Sequence, residues 1–154
     1  MHIAQMMNTA LTRVAPDTDF ASLLSGHADA DTRHTYVVDE HGRLLGVITS
    51  QDLMGRMVPS YLDPQLASSL ADGAELILRR FRDNARLSAA DLMQPKPVAV
   101  HPEDTLIEAN VRLHEGRLSA LPVVDAHGIL VGEISRRDIL RHIARDICGL
   151  PGAA

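Results

Sequence analysis

The stretch VVDEHGRLLGVITSQDLM at Val37–Met54 recurs as VVDAHGILVGEISRRDIL at Val123–Leu140. Nine of the 18 aligned positions are identical, whereas chance would give about one. The same register extends upstream without a gap, so that Met7 lies opposite Met93. The chain therefore contains an internal repeat, and we expect its function in the features that both copies keep and in the space where the copies meet.

The composition restricts the class of protein. A chain of 154 residues suits one compact domain or two small repeats that share a core, because a repeat of about 50 residues is marginally stable alone. The net charge of −5 gives no electrostatic reason to expect nucleic acid or an anionic membrane as a partner. No apolar run is long enough for membrane insertion. Cys148, the only cysteine, excludes a disulfide framework, and the lack of a secretory leader pattern leads us to expect a cytoplasmic protein.

Both copies predict the same order of elements, β-α-β-β-α. In each copy a short segment that ends in valine is followed by proline and acidic residues, a pattern typical of a helix start. A polar turn that contains glycine, between two apolar runs, then predicts a β-hairpin. The first copy is predicted to have a segment ending at Val14, a helix over 18–27, strands over 36–38 and 44–49 and a helix from Ser50. The second is predicted to have a segment ending at Val100, a helix over 104–115, strands over 122–124 and 130–135 and a helix from Arg136.

The chain between the two copies forms an insert. Its apolar residues from Leu66 to Phe81 have a helical spacing that Asp72-Gly73 interrupts, which predicts one kinked helix or two short ones. Three arginines share one helical face, which is either solvated or a contact for a partner or a phosphate group: Arg79, Arg82 and Arg86. We divide the chain into a first repeat, a helical insert, a second repeat and a C-terminal tail, at residues 3–57, 58–88, 89–146 and 147–154.

Each copy ends in a short motif at the point where a strand turns into a helix. A glycine is followed three residues later by Thr49 or Ser135, and three residues after that by Asp52 or Asp138. One interpretation is structural, since a hydroxyl residue followed three residues later by an acid forms a capping box. The acid also favours the positive N-terminal end of the helix.

The same atoms suit a nucleotide. A helix N-terminus and a hydroxyl group donate hydrogen bonds to phosphate, and the two oxygens of an aspartate suit the cis-diol of a ribose. The second copy carries Arg136 and Arg137 in the first turn of its helix, where the dipole disfavours cations unless an anion lies nearby. The equivalent residues of the first copy are the neutral Ser50 and Gln51. We therefore expect the site that prefers phosphate in the second copy.

Together these features resemble a tandem pair of cystathionine-β-synthase (CBS) domains, also called a Bateman module. The resemblance rests on the β-α-β-β-α order, on LSALPVVD at Leu118–Asp125 and on the hydroxyl-x-x-Asp ending of both copies, and it covers residues 3–57 and 89–146. It implies an α+β fold. Two βαββα repeats would pack their three-stranded sheets together around a pseudo-two-fold axis, with the helical insert between them in sequence.

The resemblance also implies a ligand. CBS modules commonly bind AMP, ADP, ATP, NAD(H) or S-adenosylmethionine, with the final aspartate on the ribose and the hydroxyl residue on phosphate. The adenine commonly lies between the first strand and the segment before Val-Val-Asp. Carried onto this sequence, the binding residues are Thr49, Asp52, Val14, Arg33 and His34 for the first copy, and Ser135, Asp138, Val100, His101, Ser119 and Ala120, beside Arg136 and Arg137, for the second. The apolar members of this set, Val14, Val100 and Ala120, can equally be core residues.

The first copy departs from the family pattern. Tyr36 stands where the second copy has Pro122, and Arg33-His34-Thr35 replaces Ser119-Ala120-Leu121. This bulkier and more polar entrance either binds a different ligand or closes the site. We therefore expect the ligand first in the second copy.

We expect a non-catalytic module that senses an adenosine nucleotide, requires no cofactor and regulates a separate enzyme or transporter. The resemblance also implies a homodimer. Two alternatives stay open, namely a ligand-free interaction scaffold in which the motif is only a helix cap, and an enzyme that acts on nucleotides. The sequence has no Gly-x-x-x-x-Gly-Lys phosphate loop, and its eight histidines show no paired metal-ligand spacing. Neither catalysis nor a metal site is predicted.

Overall fold

The computed structural model describes residues 1–70 and 73–152. The strands are β1 Arg13–Val14, β2 Thr35–Val38, β3 Leu44–Ile48, β4 Gln94–Pro95, β5 Ala120–Val124 and β6 Leu130–Ser135. The helices are α1 Phe20–Ala28, α2 Ser50–Met57, α3 Pro64–Ser69, α4 Ala74–Asp83, α5 Ala89–Leu92, α6 Leu106–Glu115 and α7 Arg136–His142. A 3-10 turn at Ile3–Gln5 precedes β1, and a π-helical segment at Ile143–Ile147 follows α7. None of the helices in the described ranges is long and apolar enough to cross a membrane.

Both copies have the predicted order of elements, and the fold is the predicted α+β pair of repeats with a helical insert. The hairpins are β2–β3 and β5–β6, and a helix follows each directly. Helix α1 begins at Phe20 instead of Thr18, because the side chain of Asp19 accepts a hydrogen bond from the Ser22 amide at 2.8 Å and caps the helix there. Helix α6 likewise begins directly after its capping residue, Thr105.

The insert forms two helices, α3 and α4, rather than one kinked helix. Helix α4 begins after Gly73, and Asp72, the other residue of the predicted interruption, lies outside the described residues. The side-chain amide of Asn84 donates to the carbonyl of Arg56 at 3.0 Å and so ties the end of α4 to α2. The arginines of the predicted cationic face are all exposed: Arg79, Arg82 and Arg86.

Each sheet receives a segment from the other repeat. The first sheet has the order β1-β2-β3-β4, with β1 parallel to β2 and the remaining pairs antiparallel, and its edge strand β4 belongs to the second copy in sequence. Strands β5 and β6 pair antiparallel in the other sheet. That sheet is extended by a parallel bridge between Val100 and Val123 and by an antiparallel bridge between Asn8 and Glu133. The three-stranded arrangement implied by the resemblance therefore gains an edge segment from the opposite repeat.

The segments that precede the first strands are exchanged between the repeats. The amide of Ile3 donates to the carbonyl of Asp104, and the amide of Ala89 donates to the carbonyl of Thr18, both at 2.9 Å. Ile3 has no exposed surface and lies in the hydrophobic core of the second repeat, whereas Ala89 lies in the core of the first. Because each core is completed by the other copy, the repeats fold as one unit.

A glycine in each copy permits this exchange. A Cβ atom on Gly46 would lie 2.5 Å from the sulfur of Met93, and a Cβ atom on Gly132 would lie 2.6 Å from the sulfur of Met7. Both distances are far inside van der Waals contact, so only glycine lets the exchanged segment lie this close to the strand. Packing therefore accounts for the presence of the same glycine and the same methionine in both copies.

The two hairpins meet at a pseudo-two-fold axis. The amide of Leu44 donates to the carbonyl of Gly128, and the amide of Leu130 donates to the carbonyl of Gly42, each at 3.0 Å. Beside these hairpins lies a third hydrophobic cluster with buried residues from both repeats, among them Tyr36 and Leu130. The frame around this axis is therefore symmetric, and it has one equivalent position for a ligand on either side of the axis.

Candidate functional site

The motif of the first repeat forms the start of α2. The amide and the hydroxyl of Thr49 donate to Oδ2 of Asp52 at 2.8 and 2.9 Å, and the Asp52 amide donates back to the Thr49 hydroxyl at 3.3 Å. These bonds make a capping box. The side-chain amide of Gln94 also approaches both carboxylate oxygens, at 3.1 Å each. Helix capping therefore uses Oδ2 and leaves Oδ1 facing the segment that contains Gln94.

The motif of the second repeat forms the start of α7 in the same way. The amide and the hydroxyl of Ser135 donate to Oδ2 of Asp138 at 2.9 and 2.6 Å. Oδ1 of Asp138 pairs with the guanidinium of Arg141 at 3.3 Å. Helix capping is thus observed in both copies. Capping does not exclude a ligand, because a carboxylate has more acceptor sites than a capping box uses.

A cleft opens beside the start of α2, and we call it the first cleft. It consists of two adjoining cavities, a more polar one of about 390 Å³ and a more apolar one of about 230 Å³, which share four lining residues: His34, Thr49, Gln94 and Leu118. This size suits a small molecule, since such sites span about 300–1,000 Å³. The first repeat lines it with His34, Val47 and the start of α2 at residues 49–51. The second repeat lines it with the segments 94–98 and 116–120 and with Pro122. The first cleft is therefore shared between the two copies.

Basic side chains surround the first cleft. Arg33 and Arg117 line its polar part, Lys96 lines its apolar part, and all three are exposed. None of them forms an ion pair with another residue of the described ranges, so their charge is available to a ligand. Lys96 and Arg117 each have a φ of 50°, a conformation that residues other than glycine rarely adopt. Such strained positions cluster at functional sites.

His34 lies where the polar and apolar parts of the first cleft meet, and it is only 8% exposed. Its Nε2 is 3.5 Å from the hydroxyl of Ser119, and its Nδ1 is buried without a hydrogen-bond partner among the residues described. Burial lowers the pKa of the His34 ring and outweighs the opposing effect of the Glu133 carboxylate. The ring is therefore neutral at pH 7 and has one nitrogen that can donate and one that can accept.

We call the pseudo-symmetric position beside the start of α7 the second cleft, and a buried, hydrogen-bonded Glu133 lies there. Glu133 stands where the first cleft has Val47, and it is 2% exposed. Its Oε1 accepts from the Arg33 amide at 2.9 Å, and its Oε2 accepts from the His34 amide at 3.3 Å and from the Tyr36 hydroxyl at 2.5 Å. Burial raises the pKa of Tyr36 far above its usual range, so the hydroxyl keeps its proton and donates it to Glu133.

Arg136 has structural partners. Its Nε donates to the carbonyl of Leu118 at 2.9 Å, and its Nη2 donates to the carbonyl of Leu113 at 3.1 Å. Leu113 lies in the last turn of α6, whose C-terminal end attracts a cation. The arginine at the start of α7 is thus accounted for without an anion, and its presence does not indicate a phosphate site in the second copy. Arg137 is exposed.

The other predicted site residues divide between cleft and core. Ser119 and Ala120, which the resemblance groups with the second copy, line the first cleft together with His34. Val100 has no exposed surface and lies in the second core, and Val14 packs against the first core. His101 pairs with an aspartate of its own loop. The expected grouping of one site per copy is therefore replaced by residues of both copies around one cleft.

Sequence reasoning missed the segment 94–98 and Arg117. No local pattern marks them, because the exchange of segments brings 94–98 to α2 only in the folded chain. Glu133 was also missed, although its position offers a signal. Glu133 is a charged residue within a strand, and the equivalent position of the first copy is the apolar Val47. A charged residue at a position expected to be buried indicates specific partners, because a buried charge is stable only when it is paired.

A metal centre finds no support among residues 1–70 and 73–152. No group of three or more His, Cys, Asp or Glu side chains in these ranges could hold a metal ion. Cys148 is exposed and reduced.

Comparison with known proteins agrees with this architecture. The family model for the CBS domain matches residues 3–59 and 89–145. The chain is 32% identical over 113 residues to CBSX1, a chloroplastic CBS domain-containing protein of Arabidopsis thaliana, in a match that covers 68% of this chain and 47% of that protein. The chain thus spans about half the length of this relative.

Two solved structures with bound nucleotides have the same fold. CBSX2 of Arabidopsis thaliana in complex with AMP is 25% identical, with a TM-score of 0.73 and coverage of 95% of this chain and 98% of that one. The cytosolic domain of the Mg²⁺ channel MgtE in complex with ATP is 27% identical, with a TM-score of 0.64 and coverage of 91% and 48%. With a family model matched in both repeats and a fold shared with these structures, the chain belongs to the CBS domain family.

Proposed function

We propose that this chain is a regulatory module that binds an adenosine-type ligand in the first cleft and acts on a separate partner protein. The observation that carries the proposal is that two adjoining cavities bring together the start of α2, an apolar wall and several unpaired cations. A nucleotide needs these three kinds of group, since its phosphates, its ribose and its base differ in polarity. Both repeats contribute to the first cleft, so the ligand bridges them.

The proposed pose follows from the chemistry of the lining groups. The base lies in the apolar part of the cleft, between Val47 and Pro122. The ribose hydroxyls donate to Oδ1 of Asp52, in place of the side-chain amide of Gln94. The phosphates lie at the start of α2, where backbone amides of the first turn donate to an anion, while Thr49 holds Asp52 in place through the capping box. Buried His34 supplies the unpaired nitrogen Nδ1 as a further polar contact.

The charge of the first cleft favours phosphorylated ligands. Among AMP, ADP, ATP, NAD(H) and S-adenosylmethionine, the first four carry negative charge, whereas S-adenosylmethionine carries a sulfonium cation. Arg33, Lys96 and Arg117 attract the former and repel the latter. The AMP complex of CBSX2 and the ATP complex of the MgtE domain support this choice, since both bound molecules are phosphorylated.

We propose further that the module requires no cofactor, acts in the cytoplasm as a homodimer and regulates an enzyme or a transporter. The MgtE domain, which is part of a channel, supports a transporter as one kind of partner. Exposed apolar side chains on the outer faces of α2, α6 and α7 support the homodimer: Met54, Ile107, Val111 and Leu140. Ligand binding changes the relative orientation of the repeats, and it regulates the partner only if that change alters the affinity for the partner. We assign the repeats to 3–57 and 89–146, the connecting insert to 58–88 and the tail to 147–154.

Calorimetric titration of the chain with AMP, ADP, ATP, NADH and S-adenosylmethionine tests the proposal. We expect heat of binding and a higher melting temperature with at least one phosphorylated ligand, and weaker or no binding of S-adenosylmethionine. A chain that binds none of the five is a ligand-free scaffold whose motif serves only as a helix cap. A parallel assay for turnover of ATP and AMP checks the non-catalytic assignment, and we expect no product above the buffer control.

A further inference from the structure

The internal repeat allows the two clefts to be compared residue by residue, because the two copies align at an offset of 86 residues. On the strand of the motif, Val47 corresponds to Glu133. On the facing segment, Ala120 corresponds to His34 and Pro122 corresponds to Tyr36. Glu133 and Tyr36 put larger and more polar side chains into the second cleft, whereas His34 contributes only its backbone amide there and its side chain lines the first cleft.

The replaced side chains and their backbone bond to one another across the second cleft. The carboxylate of Glu133 accepts from the amides of Arg33 and His34 and from the hydroxyl of Tyr36, with distances of 2.9, 3.3 and 2.5 Å. Tyr36 has no exposed surface and Glu133 is almost fully buried. A buried carboxylate is stable only when its oxygens are paired, and here three donors pair them. The network is therefore built into the fold rather than assembled from mobile surface groups.

A base in the second cleft has to compete with this network. The first cleft keeps a cavity of about 230 Å³ beside Val47, Ala120 and Pro122, whereas the equivalent residues at the second cleft meet in direct hydrogen bonds. Insertion of a purine there breaks the bonds to Glu133 and leaves buried donors unpaired, which costs more free energy than a typical hydrogen bond returns. The negative charge of Glu133 also opposes a phosphorylated ligand.

We infer that Glu133 and Tyr36 close the second cleft, so that each chain binds one adenosine-type ligand instead of two. This inference rests on the proposed function, because it assumes that the first cleft binds such a ligand. It assigns to Glu133 the place that the base of a second ligand would take. The closure of the second cleft also makes the pair of repeats asymmetric. The repeats are bridged by the ligand at the first cleft and by the hydrogen bonds of Glu133 at the second.

The stoichiometry of ATP and AMP binding, measured by calorimetry per chain, tests this inference. We expect one equivalent for the natural chain, and a second equivalent for the double variant Glu133→Val with Tyr36→Ala, which removes the network and restores the apolar residue found at Val47. The variant Glu133→Gln keeps the size of the side chain and serves as the matched control, with one equivalent expected. Thermal melting checks that each variant is folded.

The possible results separate the two proposals. Two equivalents bound by the natural chain overturn the inference and leave the proposed function intact. A folded double variant that still binds one equivalent also overturns it, since Glu133 and Tyr36 are then not what closes the second cleft. A natural chain that binds no nucleotide contradicts the proposed function, and in that case a double variant that gains one equivalent supports the inference on its own. If the double variant does not fold, the natural chain and Glu133→Gln still test the inference: one equivalent for each supports it, and two equivalents for either overturn it.

Discussion

The first and second clefts share one backbone frame and differ in their contents. Both lie beside a capping box at the start of a helix, and both are bordered by an exchanged segment that packs over a glycine. The first cleft is open and surrounded by Arg33, Lys96 and Arg117. The second is filled by the buried carboxylate of Glu133 and its donors, Tyr36 among them.

The difference shows that the repeated motif encodes the backbone frame and not the side chains that line each cleft. The hydroxyl-x-x-Asp ending satisfies its own helix in both copies, so its presence alone does not distinguish a binding cleft from a closed one. The distinction lies in residues outside the motif, which face it from the opposite repeat. Arg136 illustrates the point, because its first-turn charge is used by the carbonyls at the end of α6 and not by a phosphate.

The largest effect is expected from a change in the shared frame. Ile3→Ala removes a side chain with no exposed surface from the core of the second repeat, and such truncations cost about 2–5 kcal/mol. We therefore expect the free energy of unfolding in urea to fall by that amount. Ile147→Ala, at a position that is 49% exposed, is the matched control and should change it by no more than about 0.5 kcal/mol. An equally small loss for both variants would show that the exchanged segment does not complete the core.

The two aspartates provide the sharpest test of the contrast between the clefts. Asp52→Asn keeps the capping geometry but removes the charge that accepts from the ribose, and a hydrogen bond to a charged group is worth about 1.5–3 kcal/mol. We expect the affinity for ATP to fall about 10- to 100-fold in calorimetry. Asp138→Asn makes the same chemical change in the second repeat and should leave that affinity within about threefold. A reversed order of the two effects would assign the ligand to the second cleft.

A smaller effect is expected from the cations around the first cleft. Arg117→Gln removes an exposed charge, and exposed ion pairs contribute about 0.2–1 kcal/mol, so ATP binding should weaken about two- to fivefold while S-adenosylmethionine binding does not weaken. Arg137→Gln is the control in the other repeat and should leave both affinities unchanged. Equal losses of ATP and S-adenosylmethionine binding would contradict a role of Arg117 in the recognition of charge.

The smallest effect concerns pH. Burial lowers the pKa of His34 and of His27 below the usual value of 6.5, so the unfolded chain binds protons at a higher pH than the folded chain does. Stability is therefore complete above pH 6.5 and falls as the pH decreases below it. Melting temperatures measured from pH 7.5 down to about pH 5.5 should decrease, and His34→Gln should make that decrease shallower. A pH dependence that His34→Gln leaves unaltered would assign the loss to other groups.

Much of the fold could be predicted because its signals are local. The repeat, the turn residues and the spacing of apolar side chains predict hairpins and helices within a few residues of their observed bounds, for example α7 at Arg136. The start of α1 was predicted two positions early, since the sequence pattern does not reveal which of several acidic or hydroxyl residues caps the helix. Asp19 does so in the folded chain.

The candidate site could be predicted only in part. Thr49, His34, Ser119 and Ala120 were recognised, yet they were divided between two sites although all four line the first cleft. The segment 94–98 was not recognised, because its place beside β3 depends on pairing between residues that are far apart in the sequence.

The family, the duplicated β-α-β-β-α frame and the two capping boxes can be predicted from the sequence, because they depend on residues a few positions apart. Three features emerge only in the folded chain: the segments before the first strands are exchanged, Arg136 donates to a carbonyl at the end of α6, and Glu133 bonds to Tyr36 at the second cleft. These outcomes depend on which side chains face each other across the pseudo-two-fold axis. Burial and hydrogen bonding across that axis are long-range properties, and no local pattern encodes them.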